Sequence, residues 1–195
     1  MLYYLGQWLA DWAGPMRLLG SNIFLAGAGT ATAALLVWWL LPRYWRLLPS
    51  DRGREHAVGA AQSIGKPMSA GILFIPIFVV TAFLFVPYHP KVTGLLVCVL
   101  GAMMIGFFDD RAAGGWSEYR LGALDLLVSI GAAWFLCGGE PVSIWLPLYK
   151  EVWVVPAWLY MAGATPLLWV SINATNCTDG VDGLSASLTS MAILF

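Results

Sequence analysis

The chain has 195 residues, of which 59% are hydrophobic and 11% are charged, and its mean hydropathy is +0.75. This composition is too apolar for a soluble globular domain of this size, so it predicts an integral membrane protein. The formal net charge of −1 points to no particular partner, and we expect no nucleic acid among the partners.

The first residues predict an interfacial segment that precedes the membrane spans. Leu2, Leu5 and Leu9 recur at helical spacing. The basic start and the small-residue cleavage site of a signal peptide are missing from this sequence. We therefore predict that residues 1–20 lie on the membrane surface, and that residues 1–195 form a single membrane domain.

Five apolar runs have the length of membrane spans, which need about 20 residues each. They predict an all-α fold, a polytopic helical bundle with about five complete transmembrane helices and a truncated sixth. The first span also carries small residues between Ala26 and Ala33, which would let another helix approach closely. The five runs are about 22–41, 70–86, 92–108, 121–137 and 153–172.

A sixth apolar run begins near Leu184 and is too short to cross the membrane. A helix from Leu184 to Phe195 would rise only about 18 Å, against a hydrocarbon core of about 30 Å. Ending there would leave the last carbonyl groups without water or partners, which costs several kcal/mol. We therefore expect the chain to be the N-terminal part of a longer protein.

Basic residues indicate the orientation of the predicted spans. The loops 42–69 and 109–120 hold most of the arginines and lysines, whereas the opposite side carries few. By the positive-inside rule the N-terminus lies outside, and the loops 42–69, 109–120 and 173–183 are cytoplasmic. All the candidate functional residues fall in or beside these three loops.

Two adjacent carboxylates end the predicted third span, in Gly106-Phe-Phe-Asp109-Asp110-Arg111. Their mutual repulsion favours a nearby cation. Mg²⁺ prefers hard oxygen ligands and takes one or two protein carboxylates beside a phosphate-bearing substrate. Asp109 and Asp110 are therefore candidate metal ligands, and the alternative is a solvated helix end with Arg111 as the partner.

A polar run follows the predicted fifth span. Its spacing differs from that of an EF-hand, which alternates ligands at every second residue and ends in glutamate. Gly180 and Gly183 weaken a helix, so we expect a broken helix end. Because the predicted topology places this run on the same face as Asp109 and Asp110, the two acidic loops suggest one polar site. Its oxygen-bearing side chains recur at every third position: Asn173, Asn176, Asp179 and Asp182.

Three motifs together resemble those of the phospho-N-acetylmuramoyl-pentapeptide transferases. They are Asn-x-x-Asn-x-Thr-Asp-Gly-x-Asp-Gly-Leu, Gly-Phe-Phe-Asp-Asp and the opening Met-Leu-Tyr-Tyr-Leu. These enzymes belong to the polyprenyl-phosphate N-acetylhexosamine-1-phosphate transferases, of the glycosyltransferase family 4 type. The resemblance covers nearly the whole chain.

The resemblance implies transfer of phospho-MurNAc-pentapeptide from UDP-MurNAc-pentapeptide to undecaprenyl phosphate, which forms lipid I and UMP in peptidoglycan synthesis. It implies Mg²⁺ as the cofactor and a site on the cytoplasmic face of the bacterial inner membrane, and it is compatible with a homodimer. The paired aspartates of such enzymes, matched by Asp109 and Asp110, serve the metal and the lipid phosphate. The residues that match the nucleotide pocket of such enzymes are Asn173, Asn176, Asp179 and Asp182.

Two cationic side chains are candidates for phosphate contacts. Lys66 lies in Gly65-Lys-Pro-Met-Ser-Ala-Gly71, which takes the place of the family's Gly-Thr-Pro-Thr-Met-Gly-Gly loop but departs from it at several positions. A plain membrane-edge lysine is the alternative for Lys66. Arg120 is the remaining candidate in the loop after Asp110. Asp125, inside the fourth span, is either a functional residue or a structural partner of Arg120.

Other functions stay open at this point. One is a transferase that moves N-acetylglucosamine-1-phosphate for another cell-envelope polymer. A carrier also uses broken helices with polar residues, but near the membrane midplane. A non-catalytic scaffold leaves the two acidic loops unexplained. The resembling enzymes have about ten spans, and their later part holds a third essential aspartate and a histidine-rich loop. We therefore expect the 195-residue chain alone to be inactive.

Overall fold

The computed structural model describes residues 1–9, 14–50, 65–112, 114–146, 150–178, 187 and 189–191. The chain divides into two compact units, Met1–Trp116 and Ser117–Phe195. The named helices of the described residues are α1 (Leu2–Leu9), α2 (Asn22–Tyr44), α3 (Gly71–Phe85), α4 (Pro90–Arg111), α5 (Glu118–Cys137) and α6 (Ala157–Thr178). Between α5 and α6 lie the strands β1 (Val142–Leu146) and β2 (Glu151–Val155).

In the first unit, α1 packs on the 3₁₀ turn Gly14–Gly20. Gly6 is buried at this contact, and a Cβ atom at this position would clash with the side chain of Leu19. The N-terminal amine of Met1 donates a hydrogen bond to the carbonyl oxygen of Phe83, over 3.3 Å. The segment is thus packed within the unit, and its place on the membrane surface stays a prediction.

The long helices α2 and α3 pack side by side. α2 starts at an N-cap, where Ser21 Oγ accepts a hydrogen bond from the N–H of Phe24 over 3.4 Å. Gly29 faces α3 closely, since a Cβ atom at this position would lie 3.1 Å from Cβ of Phe85. The predicted small-residue surface of the first span therefore forms a helix contact at Gly29.

The helix α4 follows α3 after a short turn and packs against it. His89 caps its N-terminus by accepting a hydrogen bond from the N–H of Lys91, and Pro90 takes the first helical position. At the other end the N–H of Ala112 donates to the carbonyl oxygens of Phe108 and Asp109, both over 3.1 Å. The helix therefore ends one residue after the paired aspartates, at Arg111.

The second unit is built on the pair α5 and α6. Ser117 caps α5 by accepting a hydrogen bond from the N–H of Arg120, and the helix ends at Gly138, whose φ of 66° is left-handed. Across the pair, the indole N–H of Trp169 donates to the carbonyl oxygen of Gly122 over 2.8 Å. Ser129 is fully buried in α5.

The hairpin of β1 and β2 corrects the start of the predicted fifth span. Trp153 lies in β2, paired with Ile144 of the antiparallel strand β1, and the helix begins only at Ala157. The N–H groups of Leu159 and Tyr160 both donate to the carbonyl oxygen of Pro156, which starts the helical ladder there. The residues before Pro156 are rich in valine, which favours strands. Hydropathy alone could not separate this strand from the helix.

Three helices of the described residues are long and apolar enough to cross a membrane: Asn22–Leu47, Pro90–Arg111 and Glu118–Cys137. The apolar helix α3 has 15 residues, about 22 Å at the usual rise. α6 has 22 residues but carries polar side chains in its second half, including Asn173 and Asn176. The predicted class, a helical membrane protein, is confirmed. The predicted sixth span begins outside the described residues.

Candidate active site

The two predicted metal ligands occupy the last turn of α4, and both side chains are partly buried. Oδ1 of Asp109 accepts a hydrogen bond from the backbone N–H of Trp116 over 2.6 Å. Oδ2 of Asp110 accepts one from the hydroxyl of Ser69, also over 2.6 Å. The adjacent carboxylates are therefore anchored by different segments, the loop after α4 and the segment before α3.

The anchor of Asp109 depends on two glycines in the loop after α4. Gly114 and Gly115 have φ values of 88° and 73°, in the left-handed region where glycine pays no steric cost. Their conformation turns the chain so that the N–H of Trp116 reaches the carboxylate of Asp109. The Gly-Gly pair directly after a helix end is the sequence signal for this tight turn.

The anchor of Asp110 belongs to the neck of the first loop, which we define as residues 48–50 and 67–69. The N–H of Met68 donates to the carbonyl oxygen of Pro49 over 2.7 Å, and Ser50 forms an antiparallel bridge with Pro67. These contacts hold the two ends of the loop together. Ser69, the last residue of the neck, contacts the end of α4.

A pocket of about 410 Å³ lies between the neck and the end of α4. Asp110 and Arg111 supply its charged groups, so an anion and a cation of the protein share one opening. Its lining residues are Leu47, Leu48, Pro49, Ser50, Phe107, Asp110 and Arg111.

The end of α4 concentrates charged side chains. The C-terminus of a helix carries a partial negative charge from its last carbonyl groups, and acidic side chains are unfavourable there. Asp109 and Asp110 add two carboxylates to this end, and Arg111 is the basic residue in the last turn.

Asp109 and Asp110 are the residues at this position that could hold a divalent cation. Within the described ranges there is no group of three His, Cys, Asp or Glu side chains that could hold a metal ion. In the same ranges, no hydrogen bond is formed to Oδ2 of Asp109 or Oδ1 of Asp110. Two available carboxylate oxygens suit an ion that keeps several waters and shares phosphate oxygens with a substrate.

The predicted nucleotide-binding residues belong to the second unit. α6 continues through Thr178, so the helix end expected at the start of the polar run lies further along the chain. Asn173 and Asn176 are one turn apart on this helix, and Nδ2 of Asn173 donates to the carbonyl oxygen of Trp169 over 2.8 Å. Asp179 and Asp182 lie outside the described residues, and a site shared with the first unit stays a prediction.

The remaining candidates are found in both units. Lys66 is exposed beside the neck of the first loop, one residue before Pro67. Arg120 is exposed in the first turn of α5. Asp125 is only 4% exposed in α5, and its carbonyl oxygen accepts a hydrogen bond from the hydroxyl of Ser129 over 2.7 Å. The phosphate contacts of Lys66 and Arg120 and the pairing of Asp125 with Arg120 stay predictions.

The fold and this arrangement define a class, a helical membrane protein with paired carboxylates at the end of one spanning helix. The family model of glycosyl transferase family 4 matches residues 92–195, which include both Asp109 and Asp110 and the polar run. The match covers more than half of the chain. The protein belongs to this family.

Relatives in several bacteria carry one name, phospho-N-acetylmuramoyl-pentapeptide-transferase. The protein of Treponema pallidum (strain Nichols) is 40% identical over 193 residues, 96% of this chain and 53% of the relative. That of Heliobacterium modesticaldum is 31% identical, covering 82% of this chain and 52% of the relative. That of Gloeothece citriformis is 33% identical, covering 67% and 38%. The chain spans about half the length of the first two relatives, and the resemblance seen in its motifs is confirmed.

Proposed function

We propose that this chain forms part of a phosphoglycosyl transferase that moves phospho-MurNAc-pentapeptide from UDP-MurNAc-pentapeptide to undecaprenyl phosphate. The products are lipid I and UMP. Membership of glycosyl transferase family 4 and the name shared by the relatives support this substrate pair. The observation that carries the proposal is the pair of separately anchored carboxylates at the end of α4.

Asp109 and Asp110 are the residues that would hold Mg²⁺, each through the oxygen that its anchor leaves available. Mg²⁺, when bound, supplies positive charge to the phosphate oxygens of both substrates. Phosphoryl transfer depends on positioning and charge neutralisation more than on covalent help from the protein. The acceptor phosphate, with a second pKa near 6, is mostly ionised at neutral pH, so a dedicated general base is optional.

The polar residues after the predicted fifth span are proposed to bind the nucleotide. Asn173 and Asn176 offer carboxamide groups on the last turns of α6, and such groups both donate and accept hydrogen bonds. Asp179 and Asp182 are assigned to the same pocket from the motif. Lys66 and Arg120 are proposed to contact the phosphates, since both are exposed cations next to the predicted cytoplasmic loops.

The proposed cellular setting follows from the reaction. Undecaprenyl phosphate is confined to the lipid bilayer, whereas a UDP-linked sugar-peptide is a cytoplasmic solute. We therefore infer a multi-pass protein of the bacterial inner membrane with its active site on the cytoplasmic face, in agreement with the positive-inside rule. Cell-wall synthesis, and through it cell shape and division, would depend on this step, and a homodimer is the proposed oligomeric state.

The choice of donor tests the proposed function. Membranes that contain the gene product carrying this chain are incubated with undecaprenyl phosphate, Mg²⁺ and either UDP-MurNAc-pentapeptide or UDP-N-acetylglucosamine. We expect UMP and a lipid-linked sugar-peptide from the first donor, and at most a trace of product from the second. If product formed only from UDP-N-acetylglucosamine, the chain would instead belong to a transferase that moves N-acetylglucosamine-1-phosphate. Ion flux into liposomes without UMP release would support the carrier.

A further inference from the structure

Ser69 adopts a backbone conformation that serine rarely takes. Its φ is 57°, and in the described ranges Lys150 is the other non-glycine residue with a positive φ. A side chain in this left-handed region crowds the neighbouring backbone, and glycine or asparagine is the usual occupant. Such a residue persists only where its surroundings hold it, and it is frequently found at functional sites.

The other residues of the neck, 48–50 and 67–68, hold Ser69 in this conformation. The bridge between Ser50 and Pro67 and the hydrogen bond from Met68 to Pro49 fix the chain immediately before Ser69. After Ser69, the N–H of Ile72 donates to its carbonyl oxygen over 3.1 Å, at the start of α3. Ser69 is therefore the last residue of the neck, where the chain turns into α3.

In the described structure, the hydroxyl group of Ser69 forms a hydrogen bond with the end of α4. The hydroxyl donates to Oδ2 of Asp110 over 2.6 Å, the distance of a charge-assisted hydrogen bond. The donor and the acceptor are 41 positions apart in the sequence, so the bond joins the neck to the end of α4. Ser69 also stands where the resembling loop Gly-Thr-Pro-Thr-Met-Gly-Gly has methionine, which has no comparable donor.

We propose that Ser69 is a positioning residue for the reaction. Its hydroxyl fixes the carboxylate of Asp110 and leaves Oδ1 available for the divalent cation. This inference rests on the proposed function. Asp109 is anchored by the backbone N–H of Trp116, whereas the anchor of Asp110 is a side-chain hydroxyl, which a substitution of Ser69 removes directly.

The variants Ser69→Gly and Ser69→Asn distinguish the effect of losing the hydroxyl group from the effect of a changed backbone conformation. Both residues accept a positive φ, but glycine has no donor and asparagine carries an N–H group. In the gene product that contains this chain, we expect Ser69→Gly to raise the Mg²⁺ concentration for half-maximal rate by about 10- to 100-fold, the usual effect of losing a group that orients a metal ligand. Ser69→Asn is expected to recover part of the loss.

The matched control is Lys150→Gly, which changes the other left-handed non-glycine residue of the described ranges and is expected to keep the Mg²⁺ requirement of the wild type. Thermal unfolding of each variant, measured in the same detergent, separates misfolding from an effect on the metal. An unchanged Mg²⁺ requirement in Ser69→Gly would overturn the inference, whether or not the rate falls.

A binding measurement keeps this inference distinguishable from the proposed function. Mn²⁺ binding to the purified gene product, followed by electron paramagnetic resonance, requires no substrate. If the wild type makes no lipid-linked product, the proposed function fails, and weaker Mn²⁺ binding in Ser69→Gly than in Lys150→Gly would still support the positioning role. Equal Mn²⁺ binding in wild type and Ser69→Gly would contradict that role.

Discussion

At the scale of single residues, a sequence motif identifies the two carboxylates of the candidate site. It does not identify the groups that hold them by hydrogen bonds. Asp109 and Asp110 stand out in the sequence because two carboxylates end an apolar run. Their anchors, Trp116 and Ser69, carry no such signal, because one acts through its backbone and the other is a serine in a loop. Both depend on left-handed backbone conformations, which the sequence shows only where glycine occurs.

Gly115 offers a test of the anchor on Asp109. Its φ is 73°, and an added Cβ atom would lie 3.6 Å from Oδ1 of Asp109, which is ordinary contact. Gly115→Ala therefore introduces backbone strain of about 1–2 kcal/mol without a clash. We expect the turn to shift and the hydrogen bond from Trp116 to weaken, which raises the Mg²⁺ concentration needed for half-maximal rate.

The control for this substitution is Gly106→Ala in α4. No atom outside the local helix backbone lies within 4 Å of a Cβ atom built there, and alanine favours helix over glycine. We expect Gly106→Ala to keep the Mg²⁺ requirement of the wild type and to keep or slightly raise its stability. If Gly115→Ala behaved in the same way, the loop would not position Asp109.

At the scale of elements, hydropathy predicts the helices well and the connections poorly. Apolar runs mark α2 to α5 to within a few residues, because a spanning helix needs a long apolar surface. The strands β1 and β2 were missed because β2 is as apolar as the helix that follows, so hydropathy does not separate the strand from the helix. The helix α6 also extends into the polar run, since asparagine costs a helix less than the glycines further on.

The close approach of α2 and α3 gives a prediction about stability. A Cβ atom at Gly29 would lie 3.1 Å from Phe85, so Gly29→Leu forces the two helices apart. We expect a loss of about 1–3 kcal/mol, the usual cost of overpacking, seen as a lower unfolding temperature in detergent. Gly27→Leu is the matched control, because Gly27 is exposed and a Cβ atom there has no neighbour within 4 Å. Equal unfolding temperatures for the two variants would contradict this contact.

At the scale of the whole molecule, the exposed surface is that of a protein embedded in lipid. Large apolar side chains stand out from the helices, such as Ile23 at 87% exposure and Trp38 at 76%. In water, contiguous apolar surface of this kind would drive association, whereas a bilayer covers it. Composition alone predicted this class. That the end of α4 and the polar run share one site stays a prediction from topology, because no local sequence pattern reports how distant segments meet.

The central claim, that Asp109 and Asp110 hold the metal of a phosphoglycosyl transferase, is tested most directly by single substitutions in the gene product containing this chain. The measurement is Mg²⁺-dependent release of UMP from UDP-MurNAc-pentapeptide with undecaprenyl phosphate. We predict that Asp109→Asn and Asp110→Asn each lower the rate by about 100-fold or more, as expected for losing charge stabilisation in the transition state. Wild-type rates and an unchanged Mg²⁺ requirement in both variants would contradict the account.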